Sequence, residues 1–147
     1  MKTHARTRLG RFAPLLALFL MAGCADLGVD PGGGELAGLV ITDNTGVAVV
    51  TVNSANSVTG SLTVVRNGQR PLSIGLRNAS GGVLAPGVGQ TIRVTITNTQ
   101  LATWVETTTG IGTLRGGSTT GTTTLRVDVI TSGTVEYTTP AITLNVT

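Results

Sequence analysis

The chain has 147 residues, of which 40% are hydrophobic, 12% charged and 3% aromatic, with a formal net charge of +3. The basic excess is confined to the start: Lys2, Arg6, Arg8 and Arg11 precede Cys24, whereas all seven acidic residues follow it, so the remainder carries 6 − 7 = −1. That balance offers no basic face for nucleic acid, and a single cysteine excludes an intramolecular disulfide.

Residues 1 to 11 are basic and free of acids, and residues 12 to 22, FAPLLALFLMA, are almost wholly apolar. That run is shorter than the ~20 residues a membrane-spanning helix requires, and a basic segment before a short apolar one is the secretory pattern. It ends in Leu20-Met21-Ala22-Gly23-Cys24: an apolar residue, small residues and a thiol. This resembles the lipobox of bacterial lipoproteins, with Met21 standing where Leu is usual. The resemblance implies that residues 1–23 are a cleaved signal peptide. It also implies that Cys24 is the lipidation site, carrying a thioether-linked diacylglycerol and acyl chains such as palmitate. Ala25 in place of Asp implies the outer membrane. An ordinary signal peptide with a chance cysteine is the plainer alternative.

Residues 24–35 form the lipidated N-terminus and a Gly-rich tether, since ADLGVDPGGGE holds four Gly and one Pro. Residues 36–147 are then the folded domain, 147 − 35 = 112 residues, enough for one sandwich core. Thr and Val dominate it, and both suit a pleated surface. Residues 36–42 and 47–53 flank Asp43-Asn44-Thr45-Gly46 and read as a hairpin. Residues 61–66 form the next run, closed by Asn67-Gly68. Residues 71–77 place Leu72, Ile74 and Leu76 on one face, and 78–82 read as a turn. Residues 91–97 alternate, with Ile92, Val94 and Ile96 opposite Arg93, Thr95 and Thr97. Residues 101–107 and 111–115 are short strands. Residues 123–130 place Leu125, Val127 and Val129 inward with Arg126 and Asp128 outward, and 141–147 turn Ile142, Leu144 and Val146 inward. Period-2 alternation with one apolar face describes half-solvated antiparallel sheets, and many short strands between turns describe a sandwich or barrel.

Four features of residues 61–147 resemble bacterial Ig-like domains of the intimin and invasin type. They are Asn67-Gly68-Gln69 before a strand, Leu101-Ala102-Thr103-Trp104, Gly112-Thr113-Leu114 leading to Gly121 through Val127, and the terminal strand from Ile142 to Val146. The resemblance implies an all-β, Ig-like antiparallel β-sandwich after a signal peptide and flexible tether. The hairpin over 36–53 is then an extra first strand pair or a capping ribbon.

After Cys24 the chain has no His and no Lys, and Cys24 is its one thiol. Serine–histidine, cysteine–histidine and serine–lysine nucleophiles are therefore absent, as are the usual zinc and copper ligands. We expect no enzyme, no cofactor and no metal. Asp43-Asn44-Thr45-Gly46 begins like a calcium loop, but it lacks the later Glu and reads more simply as a hairpin turn. Trp104 suits a sugar-stacking platform or a core position, and its place within a strand favours the core. Tyr137 reads as a strand or edge residue, and Arg126 with Asp128 as a solvated face. The run 116–124, GGSTTGTTT, is a binding loop or a plain connection.

The expected function is a non-catalytic envelope or cell-surface lipoprotein displaying an Ig-like binding or structural module. Alternatives are an accessory subunit of a larger envelope complex and a carbohydrate-binding lipoprotein using Trp104. The expected partners are the membrane, through the lipid on Cys24, and an envelope protein or glycan, with no nucleic acid.

Overall fold

The computed structural model describes residues 36–147; Cys24 and the segments expected to be a signal peptide and a tether lie outside the described residues. Twelve strands follow one another: β1 (Leu36–Asp43), β2 (Ala48–Val52), β3 (Val58–Gly60), β4 (Leu62–Val64), β5 (Gln69–Asn78), β6 (Val83–Leu84), β7 (Gln90–Ile96), β8 (Ala102–Thr108), β9 (Ile111–Gly116), β10 (Gly121–Thr131), β11 (Thr134–Thr138) and β12 (Ile142–Val146). They form two sheets. One runs β3-β2-β1-β5-β9-β8, with β6 also on β5. The other runs β11-β10-β12-β4, with β7 also on β10. Every pairing is antiparallel except β12 with β4.

The order β1-β5-β9-β8 facing β7-β10-β12 is the A-B-E-D and C-F-G arrangement of an immunoglobulin-type sandwich. The fold is therefore an all-β, Ig-like sandwich. The first hairpin is not a capping ribbon. β1 lies beside β5 over the length of the sheet, and Leu39, Ile41, Val50 and Val52 are at most 1% exposed in the common core.

The alternating runs face as their periodicity dictates. Leu72, Ile74 and Leu76, Leu125, Val127 and Val129, and Ile142, Leu144 and Val146 are all buried between the sheets. Ile92 and Ile96 are buried as well, and Val94 is partly buried against them. Of the run expected over 61–66, Leu62–Val64 is a strand, β4; β3, just before it, belongs to the other sheet, and the chain crosses between the two at Ser61. Gly60 permits the crossing: it has φ +92, and a Cβ there would lie 2.2 Å from the Val49 carbonyl oxygen.

A second interruption has a different cause. β11 and β12 run along the same edge of β10, parted at Thr139-Pro140. Proline has no N–H to give the ladder. The buried Thr139 takes over: its N–H donates to the Val127 carbonyl at 2.9 Å, and its hydroxyl accepts from the Val127 N–H at 3.0 Å.

Three turns share one construction. Asp43, Asn53 and Asn78 each offer a side-chain oxygen to the N–H four residues on, at 3.1, 3.0 and 2.8 Å. In each, the fourth residue of the turn has positive φ: Gly46, Asn56 and Gly81. Short side chains that bond their own backbone favour such turns. The strand register puts turns 53–57 and 78–82 beside Leu36, at the end where the chain enters. Turns 43–47 and 65–68 and the 117–120 connection lie at the opposite end.

Candidate functional site

The one site residue singled out from the sequence, Cys24, lies outside the described residues. The remaining candidates are distributed over the sandwich and do not converge.

Asp43 is the hub of a tight hairpin. Its Oδ1 accepts the Thr45 hydroxyl at 2.6 Å, the Thr45 N–H at 2.9 Å and the Val47 N–H. The Thr45 hydroxyl, with these backbone donors, holds the Asp43 carboxyl below the ordinary range. Among the described residues, no three His, Cys, Asp or Glu side chains gather where a metal ion would sit. The oxygen of Asp43 is thus spent on its own turn.

Trp104 is partly buried, packed against the core from β8. It lies over Gly112, where a Cβ would be only 2.5 Å from its Cζ2 atom. The ring fills the space a missing side chain leaves, which is a packing role.

Arg126 and Asp128 do point outward together from β10, but the partner of Asp128 is Arg93 on the neighbouring strand. The Arg93 Nε and Nη2 atoms donate to one carboxylate oxygen at 2.9 and 2.7 Å, and the Thr138 hydroxyl donates to the other at 2.8 Å. Partial burial opposes the charge on Asp128. The bonds from Arg93 and Thr138 outweigh it, and the carboxyl sits below its ordinary value.

The other two carboxylates are also engaged locally. Glu106 accepts the Gly110 N–H at 3.0 Å, and Glu136 accepts the Thr131 hydroxyl at 2.6 Å. Tyr137, on β11, donates its hydroxyl to the Asn56 side-chain oxygen at 3.1 Å and ties the two sheets at one end. Burial pushes its phenol up.

The GGSTTGTTT run is a connection: Gly116 ends β9 and Gly121 opens β10. A Cβ on Gly117 would lie 2.0 Å from the Gln100 carbonyl oxygen. Its backbone also bonds Leu101 and Asn67. Close approach of three chain segments explains these glycines.

One feature had no signal in the alternation pattern. On the outer side of the seven-stranded sheet, Val40 and Gly75 floor a groove of about 310 Å³ walled by Val83, Pro86, Thr109 and Ile111. No ionisable side chain lines it. Gly75 opens it, since a Cβ would meet the Val83 side chain at 2.7 Å. In the sequence, Gly75 is merely an outward position between two core residues.

Among solved structures, the chain is similar to domains 4 and 5 of the S-layer protein SbsC, at 19% identity, over 60% of this chain and 47% of that one, with a TM-score of 0.44. It is also similar to the adhesin InvE of Yersinia pseudotuberculosis, at 28% identity, over 58% of this chain and 24% of that one, with a TM-score of 0.37. The chain thus spans less than half of the first structure and about a quarter of the second. No family model and no curated protein matches the sequence.

Proposed function

We propose that this chain is an envelope lipoprotein, anchored through lipid on Cys24 and most consistent with the outer membrane. Its Ig-like sandwich binds or builds without catalysing a reaction. The observation that carries this reading is the segment from Leu20 to Cys24, an apolar run closing on small residues and the only thiol in the chain. Two acyl chains anchor firmly where one does not, at ~0.8 kcal/mol per buried methylene.

The sandwich adds support. Its first strand begins at Leu36, soon after the proposed anchor, and turns 43–47 and 65–68 lie at the far end. Lipid at Cys24 would therefore hold one end of the domain toward the membrane and present the other. Proton transfer at neutral pH would fall to carboxylates with strongly raised pKa values. Asp43 and Asp128 are instead shifted down. The partner we propose at the exposed end is an envelope protein or glycan. Trp104, packed on the core, is not the residue that would make it a sugar.

The test is metabolic labelling with a fatty acid, followed by fractionation of the envelope. The wild-type chain is expected to carry label and to partition with outer membrane. Cys24→Ser is expected to lose label, because a hydroxyl does not accept the thioether-forming transfer. Labelling that persists in Cys24→Ser sinks the anchor.

A further inference from the structure

A sheet edge presents unpaired N–H and C=O groups that another strand can pair with, and proteins usually blunt such edges. Six strands among the described residues have a neighbour on one side only, β3, β4, β6, β7, β8 and β11, and most of them carry such a device. β3 and β4 are three residues each, and the Arg70 guanidinium donates to the Thr63 carbonyl of β4 at 2.8 Å. β7 bears the charge of Arg93 midway along its length.

β8 is built differently. It closes the seven-stranded sheet with seven residues, ATWVETT, and has no Lys, Arg or Pro. Its single charge, Glu106, is turned back onto the Gly110 N–H. Thr103, Val105 and Thr107 are exposed, Val105 to 40%. The register slip between Glu106 and Thr108 leaves the stretch from Ala102 to Glu106 regular.

We propose that β8 pairs antiparallel with β8 of a second copy of this chain, centred on Val105, and joins the two seven-stranded sheets into one. The strand is complementary to itself. Centring on Val105 sets Val105 against Val105 and Trp104 against Glu106, within the regular stretch, so like charges are never opposed. β-branched residues directly opposite one another are favourable pairs. A two-fold contact of this kind closes with two copies. The far edge of the joined sheet is then β3, which is short, so growth stops at a dimer. The inference does not depend on lipid at Cys24.

The experiment is sedimentation of the full chain in mild detergent over a wide range of concentration, with amide exchange read alongside. A two-chain species should grow with concentration, and exchange at Trp104 and Glu106, whose N–H groups point away from β9, should slow in step, while β3 is unchanged. Val105→Lys places two ammonium groups opposite each other and should abolish the two-chain species. Val83→Lys, at a more exposed valine on β6, should leave it intact. A single-chain species at every concentration overturns the proposal. So does a dimer whose β8 amides exchange as fast as the monomer's, or one that persists in Val105→Lys. The exchange measurement needs no variant, so a failure of Val105→Lys to fold leaves the test decisive.

Discussion

β10 and β8 read alike in sequence. Both are β-rich and free of proline, with threonines on the outer face. In the structure they differ in their neighbours. β10 spans eleven residues and is paired on both edges, with β7 on one side and β11 and β12 on the other. β8 is paired with β9 alone. Of the seven residues of β8 only Ala102 is buried, against Thr123, Leu125, Val127 and Val129 in β10. The contrast shows that alternation reports which face of a strand meets the core and says nothing of how many strands lie beside it.

The largest expected effect tests the interior side of that contrast. Leu144 of β12, paired with Thr123 of β10, is fully buried. Leu144→Ala should cost about 2–5 kcal/mol in chemical denaturation. Thr143→Ala, one residue away and exposed, should stay within about 0.5 kcal/mol, as should Thr103→Ala on β8. A larger loss at 143 than at 144 would mean that β12 is one residue out of register, since a single-residue slip exchanges the two faces.

A smaller effect is expected where β10 lacks a ladder partner. Thr139→Val removes the acceptor for the buried Val127 N–H. An unsatisfied buried donor costs about 1–3 kcal/mol. Thr139→Ser, which keeps the oxygen, should recover most of the loss in the same thermal melt. If Thr139→Val and Thr139→Ser behave alike, the hydroxyl is not replacing the missing bond.

The smallest effect concerns the outer face of β10. The folded pKa of Asp128 is depressed. Its contribution is therefore present above the unfolded value of about 3.9 and is lost as pH falls through the folded value. Arg93 is 57% exposed on its side chain, so the pair is worth at most about 1 kcal/mol. Arg93→Met should lower the melting temperature slightly at neutral pH, and the difference should shrink as pH falls through the folded value of Asp128. A difference that survives acid would mean that Arg93 acts through its aliphatic stem instead of its charge.

The sequence alone determined the fold class and the inward face of nearly every long strand, because an apolar face recurring every second residue can be buried in only one way. It also marked the hairpin at Asp43 and the turn at Asn78, where side chains bond their own backbone and need no distant partner. The strands it did not resolve are short. β3 and β6 have three and two residues, too few for a period to appear, and β11 is parted from β12 by Pro140. Sites were the least legible. Nothing local links Asp128 to Arg93, 35 positions away, or Tyr137 to Asn56, 81 positions away. The groove over Gly75 and the open edge of β8 are likewise products of which strands the fold sets side by side. Such features depend on chain segments distant in sequence, so only the tertiary structure decides them.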